Sequence, residues 1–407
     1  MKISEELAWR GFIQQTTYKD ISYLDTHKVT FYHGFDASAP SQTVGNLAAM
    51  MMDLLFIKHG HKAIILAGGS TSLVGDPGGK DSERPMQTVE TIAFNIEQAK
   101  KQIEKVYGTR PFTLVNNLDW TKDVTALEFL REVGKYFSVG DLIKRDYIST
   151  RLGEGGAGIS YTEFSYSLLQ GFDYLHLFDT YGCTLQIGGS DQWSNCLSGV
   201  DLIRKKRDAE VHVITLPLII NRATGKKFGK SEGGAVWLDE SKTSVFDFYQ
   251  FWLNTDDASS EEYVKIFTEI EKDEYDTLIA TFRADPSTRL VQKYLAFHAT
   301  ALVHGTEKAD AAKAQAEAVF SGDFTHIPEE NVFTVDTSYV VDGNVKLIDF
   351  VVDKKIIESK GKFRELISSK GLSIDGKVLE DGVMQKPEGE EVIFQIGKKR
   401  FYKLKFI

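Results

Sequence analysis

The stretch from Val29 to Gly69, VTFYHGFDASAPSQTVGNLAAMMMDLLFIKHGHKAIILAGG, contains two short apolar runs on either side of a longer segment. The runs VTFYHGF (29–35) and KAIILAGG (62–69) have the length and composition of buried strands. The segment between them, TVGNLAAMMMDLLFIKHG, has helical periodicity and ends at a glycine. This order predicts two parallel strands joined by a crossover helix.

The same alternation continues to about residue 220. A helix is predicted at TVETIAFNIEQAKKQIEKVYG (88–108), and further strands at PFTLVNN (111–117), CTLQIGG (183–189) and VHVITLPLII (211–220). We therefore predict an α/β fold with a Rossmann-like parallel sheet. In such sheets, ligands bind outside the carboxyl ends of the strands.

The pattern changes after the lysine-rich run NRATGKKFGKSEGG (221–234), where strands give way to helical segments. A polar connector and a short mixed segment follow. The predicted division is a Rossmann-like domain at 1–225, a loop and connector at 226–242, an α-helical domain at 243–320, a linker at 321–344 and a small α+β domain at 345–407.

Composition limits the functional classes. The net charge of −10 argues against a protein that binds nucleic acid over its whole surface, but residues 346–407 carry 14 Lys and Arg against 10 Asp and Glu. No apolar stretch has the length of a membrane span and the N-terminus does not resemble a signal peptide, so we predict a cytoplasmic protein without membrane contact. Two cysteines, Cys183 and Cys196, are too few for a disulfide framework and are interpreted as buried thiols.

Two kinds of glycine motif for phosphate binding fail, one because of its spacing and the other because of the segment that precedes it. The runs 75–80 and 225–230 both end in Gly-Lys, but each is one residue short of a Walker A loop. Gly153, Gly155 and Gly158 form a GxGxxG string, yet the preceding IKRDYISTRL is not an apolar strand, so a loop is predicted there.

Three polar turns, each following a predicted strand, are better candidates. They lie in YHGFDASAPSQTVGNL, GGSTSLVGDPGGKDSER and LQIGGSDQW. The first precedes a helix, whose free N–H groups and positive dipole end favour phosphate. All three turns are expected at one edge of the sheet.

These segments resemble a known family. TVGN (43–46) resembles the HIGH motif of class I aminoacyl-tRNA synthetases, and KFGKS (227–231) resembles their KMSKS loop. The string YTEFSYSLLQGFDYL, followed by LQIGGSDQW, within 161–193 is similar to bacterial-type tyrosyl-tRNA synthetases. The resemblance extends over essentially the whole chain.

The resemblance implies a tyrosine–tRNA ligase that acts as a homodimer. Such an enzyme activates L-tyrosine with ATP, forms tyrosyl-adenylate and pyrophosphate, and transfers the tyrosyl group to the 3′ end of tRNA(Tyr). It implies Mg²⁺ bound with ATP and no metal held by the protein alone. It also implies that 243–320 contacts the anticodon arm and that 345–407 binds RNA, like a domain of a small-subunit ribosomal protein. The alternative is a non-catalytic or splicing-assisting RNA-binding relative of the same fold.

By the same resemblance, Tyr32 and Asp173 recognise the substrate phenol. A carboxylate accepts and a tyrosyl hydroxyl donates or accepts, so the pair can satisfy a phenol hydroxyl. The structural alternatives are a core position for Tyr32 and a helix cap for Asp173. The remaining residues matched to the tyrosine site are Asp76, Tyr166, Gln170, Asn117, Gln192 and Thr71.

The ATP site is matched in the same way. The ATP-binding matches are Asp36, Gly45, Asn46, Gly189, Asp191 and Lys230. The matches to the catalytic groups, which act on the phosphates, are Lys80, Arg84, Lys227, Lys230, Thr43 and Ser38. Thr43 and Asn46 stand where the HIGH motif has histidines. No convincing Ser-His-Asp or Cys-His set is found, and adenylation by a substrate carboxylate needs none.

The sequence locates the contacts with tRNA less precisely than the tyrosine and ATP sites. The run RKKR (204–207) matches an acceptor-arm contact, although such a run is also typical of a solvated helix face. The residues assigned to tRNA binding are Arg204, Lys205, Lys354, Lys355, Lys362 and Arg364. Their expected contribution is salt-dependent affinity for the phosphate backbone.

Overall fold

The computed structural model describes residues 1–76, 86–153, 155–156, 158–219, 230–231, 234–321, 327, 331–387, 389–397 and 400–407; at 146–147, 230–231 and 319–321 only the backbone is considered. The chain divides into two compact units, residues 1–305 and 306–407.

The first unit contains a six-stranded sheet in the order β1-β6-β5-β2-β3-β4. Only β1 is antiparallel to its neighbour, and all other pairs are parallel. The strands are β1 (Gln15–Thr16), β2 (Thr30–Phe35), β3 (Lys62–Ala67), β4 (Phe112–Asn116), β5 (Cys183–Gly189) and β6 (His212–Leu216).

The predicted α/β fold with a parallel sheet is confirmed. The five predicted strands are β2 to β6, with one marked difference in length. Strand β6 ends at Leu216 and not at the predicted Ile220, because Pro217 has no N–H for the ladder. Strand β1 was not predicted, since two residues are too short to show periodicity.

The strand order reverses direction beside β2, whose neighbours are β3 on one side and β5 on the other. At such a reversal, the connections after the two neighbouring strands, here β2 and β5, run in opposite directions. A crevice is therefore expected between the carboxyl ends of these two strands. The polar turns after β2 and β5 therefore meet at one place.

The helices of the first unit surround this sheet and continue beyond it. They are α1 (Ile3–Arg10), α2 (Tyr23–Thr26), α3 (Val44–Lys58), α4 (Gly69–Val74), α5 (Val89–Tyr107), α6 (Leu118–Thr121), α7 (Ala126–Glu132), α8 (Val139–Ile143), α9 (Asp146–Leu152), α10 (Tyr161–Tyr181), α11 (Trp193–Arg207), α12 (Val245–Leu253), α13 (Asp257–Phe267), α14 (Lys272–Ala284) and α15 (Leu290–His304). A two-stranded hairpin, β7 (Lys230–Ser231) and β8 (Gly234–Ala235), precedes α12. The GxGxxG glycines follow α9, a helix and not a strand.

Helix α10 carries several predicted site residues and is held firmly. It begins with a capping box between Ser160 and Glu163 and ends at Gly182 in the left-handed conformation. The Glu163 carboxylate also accepts two hydrogen bonds from Arg151, at 2.6 and 2.9 Å. Helix α11 packs closely against α10, and both cysteines are buried, as predicted.

The second unit combines helices with two small sheets. Its helices are α16 (Thr306–Ser321), α17 (Leu347–Asp353) and α18 (Lys360–Ser368), and its strands are β9 (Val332–Val335), β10 (Val340–Val341), β11 (Asn344–Val345), β12 (Leu372–Ile374), β13 (Lys377–Val378), β14 (Met384–Gln385), β15 (Glu391–Ile396) and β16 (Arg400–Phe406). Its sheets are β13-β12-β15-β16-β9 and β10-β11-β14. The core contains Phe350, Leu372, Phe394 and Leu404.

The five-part domain division stays a prediction. Within the segment predicted as a linker, strand β9 pairs with β16, so that Val332 lies opposite Lys403. Such long-range pairing leaves no local signal in the sequence. Across the described ranges, no helix is both long and apolar enough to cross a membrane.

The contact between α10 and α11 generates the first prediction. A Cβ at Gly199 would lie 2.5 Å from Cδ1 and 2.7 Å from Cβ of Tyr174. Gly199→Ala should therefore lower the free energy of unfolding by about 1–3 kcal/mol through overpacking. A clear decrease in the thermal unfolding midpoint is expected.

The matched control is Gly140→Ala in α8, where a Cβ meets only Ser138 Oγ at 3.7 Å. This variant gains helix propensity without a clash and should be as stable as the wild type or more so. Equal midpoints for the two variants would contradict the close packing of α10 on α11.

Candidate active site

A cavity of about 440 Å³ opens at the carboxyl ends of β2 and β5. It contains side chains that are far apart in the sequence and that the resemblance assigned to a single site. The predicted residues that line it are Tyr32, Asp36, Ser38, Thr43, Gly45, Asn46, Thr71, Asp76, Tyr166, Gln170, Asp173, Gly189, Asp191 and Gln192.

Tyr32 lies at the buried end of this cavity. Its side chain is only 1% exposed, its ring packs edge-on against Tyr174, and its hydroxyl has no hydrogen-bond partner among the described residues. Burial raises the pKa of Tyr32 well above the ordinary range, so the hydroxyl stays protonated. A buried hydroxyl without a partner costs free energy unless a ligand supplies one.

Asp173 lies in the interior of α10, so the alternative of a helix cap is wrong. Asn117 Nδ2 donates to Oδ2, and Trp120 Nε1 donates to Oδ1, each at 2.9 Å. Burial raises the pKa of Asp173 to about 7, although both hydrogen bonds act in the opposite direction. Near neutral pH this carboxyl group can therefore exist in both protonation states.

Asp36 connects the two halves of the cavity. Its carboxylate accepts hydrogen bonds from the Tyr166 hydroxyl at 3.1 Å and from Thr71 Oγ1 at 3.0 Å. Asn117 Nδ2 lies 3.2 Å from Thr71 Oγ1 and also donates to Asp173. A residue matched to ATP is thus hydrogen-bonded to residues matched to tyrosine, which supports a single site for both substrates.

Asp76 and Gln192 form a second polar group. Gln192 Nε2 donates to Asp76 Oδ2 at 2.7 Å, and Asn195 Nδ2 contacts Gln192 Oε1 at 3.1 Å. Gln170 Nε2 lies 3.7 Å from the sulfur of the buried Cys196. Burial raises the pKa of Cys196, so this thiol is not a nucleophile at neutral pH.

The N-terminus of α3 forms another wall. Thr43 Oγ1 donates to Asn46 Oδ1 at 2.8 Å, which leaves the Asn46 amide donor group turned away from this contact. At the end of β5, a Cβ at Gly189 would lie 2.6 Å from Asp191 Oδ1. The glycine therefore leaves room for the Asp191 carboxylate.

Comparison with known proteins shows the family to which this chain belongs. The model of the family "tRNA synthetases class I (W and Y)" matches residues 24–321. A tyrosine–tRNA ligase of Geobacillus kaustophilus is 40% identical, with 100% of both chains covered, and one of Listeria welshimeri is 40% identical, with 99% of both chains covered. The chain belongs to the bacterial-type tyrosine–tRNA ligase family.

Solved structures agree with this family. A C-terminally truncated mitochondrial tyrosyl-tRNA synthetase of Aspergillus nidulans is 30% identical with a TM-score of 0.70, covering 78% of this chain and 94% of that chain. A tryptophanyl-tRNA synthetase of Plasmodium falciparum is 13% identical with a TM-score of 0.54, covering 76% of this chain and 84% of that chain, and is similar in fold alone.

Three residues of this tyrosine–tRNA ligase site were missed in the sequence. Trp120 donates to Asp173, His33 lines the cavity, and Gln186 lines it with a buried Oε1 that has no partner among the described residues. Gln186 pairs with Tyr32 across the sheet. Its position within LQIGGSDQW, the string that is similar to tyrosyl-tRNA synthetases, is the signal that was available.

The structure describes the predicted cationic residues only in part. Lys80, Arg84 and Lys227 lie outside the described residues, and for Lys230 only the backbone in β7 is described.

The predicted tRNA-binding residues are exposed, but several are paired within the chain. Arg204 pairs with Asp201 at 3.0 Å, and Lys205 Nζ donates to the Tyr136 carbonyl at 2.6 Å. In the second unit, Lys362 pairs with Glu365 at 2.8 Å. Lys354, Lys355 and Arg364 are exposed there as well.

The unpartnered hydroxyl of Tyr32 generates a stability prediction. Tyr32→Phe removes a buried polar atom that has no described partner, so the free energy of unfolding should stay unchanged or rise by about 1 kcal/mol. Thermal or urea unfolding without substrates measures this change.

The matched control is Tyr107→Phe at a second fully buried tyrosine, whose hydroxyl donates to Asp53 Oδ2 at 2.7 Å. Loss of that bond should lower the free energy of unfolding by about 1–3 kcal/mol. If Tyr32→Phe were destabilised to the same extent, the Tyr32 hydroxyl would be a structural group and would not be held for a ligand.

Proposed function

We propose that this chain activates L-tyrosine with ATP in the cavity at β2 and β5 and then transfers the tyrosyl group to the 3′ end of tRNA(Tyr). The single observation that carries the proposal is the pair at the buried end of the cavity. Tyr32 offers an unpartnered hydroxyl there, and Asp173 offers a buried carboxyl group.

This pair suits a phenol better than a plain aromatic ring. The phenol hydroxyl would donate to the Asp173 carboxylate and exchange a second hydrogen bond with Tyr32. Phenylalanine would leave both protein groups buried and unpaired, which costs free energy. The site should therefore select tyrosine by penalising the ligand that lacks the hydroxyl.

The remaining matched residues place the amino-acid head group. Asp76, with Tyr166 and Gln170 four residues apart on α10, is proposed to hold the substrate ammonium group. Gln192 is proposed to lie near the reacting carboxylate, next to Asp76. Thr71 and Asn117 then act through Asp36 and Asp173, to which they are hydrogen-bonded.

The reaction itself needs positioning more than a reactive side chain. The tyrosine carboxylate is already an anion, and its oxygen attacks the α-phosphorus of ATP in line while the bond to pyrophosphate breaks. The enzyme must align the two substrates and stabilise the charge that develops on pyrophosphate.

On the ATP side, the proposed contacts surround the start of α3 and the turn after β5. Asp191 and Gly189 are proposed for the ribose hydroxyls, and Gly45 and Asn46 for the adenosine. Asp36 is proposed to lie near the reacting centre. Ser38 and Thr43 are proposed as hydrogen-bond donors to the terminal phosphate. The Thr43 hydroxyl would turn from Asn46 Oδ1 to the phosphate and so take the place of an imidazole.

Positive charge is proposed to come from Lys80, Arg84, Lys227 and Lys230. The lysines of KFGKS would approach the triphosphate as the adenylate forms. Mg²⁺ would enter with ATP, since it prefers phosphate oxygens and water to an all-protein cage.

The wider assembly is part of the proposal. Exposed basic residues of α11 and of the second unit are proposed to contact the tRNA backbone, and a cytoplasmic homodimer is proposed by analogy with the family. A non-catalytic RNA-binding role is not favoured, because the relatives matched over the full length are tyrosine–tRNA ligases.

Pyrophosphate exchange into ATP by the full-length protein tests this function. Exchange should require tyrosine and should not be stimulated by tryptophan or phenylalanine. Asp173→Asn keeps the side-chain shape but removes the carboxylate, so kcat/KM for tyrosine should fall at least about tenfold.

The matched control is Asp179→Asn at the exposed end of the same helix, where Asp179 pairs with Arg207. Exchange by this variant should equal that of the wild type. Tryptophan-dependent exchange, or an Asp173→Asn variant as active as the control, would contradict the proposed function.

A further inference from the structure

A buried polar cluster behind the cavity has no role in the proposed reaction. Asp53 lies on α3 with 0% exposure, and its Oδ2 lies 2.7 Å from both His33 Nδ1 and the Tyr107 hydroxyl. Its other oxygen, Oδ1, has no hydrogen-bond partner among the described residues. We call Asp53, His33 and Tyr107 the Asp53 cluster.

A carboxylate in this position needs a compensating charge. Burial of an ionised carboxylate is costly unless a cation or several donors reach it. Tyr107 supplies a neutral donor from α5, so of the two groups hydrogen-bonded to Asp53 only His33 can supply a positive charge. The short contact between Nδ1 and Oδ2 is typical of a charge-assisted hydrogen bond.

His33 also reaches the cavity. Neighbouring residues of a strand face opposite sides of the sheet, so Tyr32 packs against Tyr174 of α10 while His33 contacts Asp53 of α3. His33 lines the cavity, as do the small α3 residues Gly45, Ala48 and Ala49. The His33 side chain keeps 13% exposure, and Nε2 makes no hydrogen bond to a described residue.

The surroundings of His33 leave Asp53 as its dominant charged neighbour. Across the sheet, His33 lies opposite Ile65 and Ile187, which are both apolar. The facing titratable groups are Asp53 from α3 and Tyr107 from α5. The carboxylates that line the same cavity are Asp36, Asp76, Asp173 and Asp191.

The pKa of His33 follows from this balance. Burial alone lowers it, but the charge of Asp53 and its hydrogen bond outweigh burial and raise the pKa above the ordinary value of 6.5. The imidazole is therefore protonated to a higher pH than an exposed histidine. Among the described residues that line the cavity, none is a lysine or an arginine, so His33 is the group there that can carry a positive charge.

We propose that Asp53 is a positioning residue that holds His33 as a cation with Nε2–H directed at the nucleotide side of the cavity, so that ATP affinity depends on pH through this pair. The inference rests on the proposed ATP-dependent function. The group contacted is an oxygen of the nucleotide, either a ribose hydroxyl or a phosphate oxygen.

The sign of the pH dependence follows from the two states of His33. When protonated, His33 presents Nε2–H as a charged donor to either oxygen. In the neutral form with Nδ1–H bound to Asp53 it presents only a lone pair, which cannot bind a phosphate oxygen and makes a weaker, uncharged hydrogen bond with a ribose hydroxyl. Binding of ATP is therefore stronger below the pKa of His33 and weaker above it. The lost contact corresponds to a KM for ATP that increases about tenfold.

The first test compares full-length wild type with His33→Gln in tyrosine-dependent pyrophosphate exchange between pH 5.5 and 9. ATP has a phosphate that titrates near pH 6, so the quantity compared is the ratio of the variant KM for ATP to the wild-type KM at each pH. The ratio should be about tenfold at low pH and should decline above the pKa of His33. A ratio that does not change with pH would overturn the proposal.

Asp53→Asn tests the positioning role. The asparagine oxygen can still accept from Nδ1, but without the negative charge the pKa of His33 should fall. The KM ratio of this variant should then be largest between the two pKa values of His33 and approach one at a pH above both, where both proteins contain neutral His33. An Asp53→Asn profile that matches the wild type at every pH would overturn it.

A direct readout does not depend on activity. The ¹⁵N-histidine resonances of the wild type can be titrated by NMR, and the resonance that is absent in His33→Gln belongs to His33. Its pKa should lie above 6.5. In the neutral form, Nδ1 should carry the proton. A pKa below 6.5 would overturn the proposal even if Asp53→Asn did not fold. Replacing ATP by its 3′-deoxy and 2′-deoxy analogues identifies the contacted oxygen. If His33→Gln no longer increases the KM for one of the analogues, the contact is with the ribose. If the increase persists with both analogues, the contact is with a phosphate.

The outcomes separate the two proposals. Absence of tyrosine-dependent exchange in the wild type contradicts the proposed function. Normal exchange with a pH-independent KM ratio contradicts only the role of the Asp53 cluster.

Discussion

The carboxyl group of Asp173 is buried in the middle of a 21-residue helix, where an ionisable group is costly unless donors reach it. Two donors do so, Asn117 and Trp120, from the segment that follows β4. They reach Asp173 only if α10 lies at a fixed distance from the end of β4. The close packing of Gly199 against Tyr174 helps to hold α10 there.

This constraint extends to the rest of the cavity. Asn117 also contacts Thr71, and Thr71 and Tyr166 both donate to Asp36 at the end of β2. The groups assigned to the amino acid and to the nucleotide are thereby part of one hydrogen-bonded set. Such preorganisation suits a reaction in which the protein aligns two substrates and supplies no nucleophile. His33 and Asp53 add a similar arrangement on the other face of β2.

Much of the fold could be predicted because its signals are local. Strands β2 to β5 are apolar runs, and each of the long helices α3, α5 and α10 is followed within two residues by a glycine. Strands β1 and β9 could not be predicted, since they are short and pair with residues distant in sequence. The site residues were found mainly through motif resemblance, and the cavity contains most of those that lie in described ranges. Trp120 and His33 were missed because hydrogen bonds across 53 and 20 residues define their roles.

A crystal structure of the full-length protein with bound L-tyrosine shows whether Tyr32 and Asp173 together bind the substrate phenol. The phenol oxygen should lie within hydrogen-bond distance of both the Tyr32 hydroxyl and the Asp173 carboxyl group, with Asn117 and Trp120 still bound to Asp173. A tyrosine bound with its phenol away from this pair, or a Tyr32 hydroxyl that remains without a partner in the complex, would contradict this role of the pair.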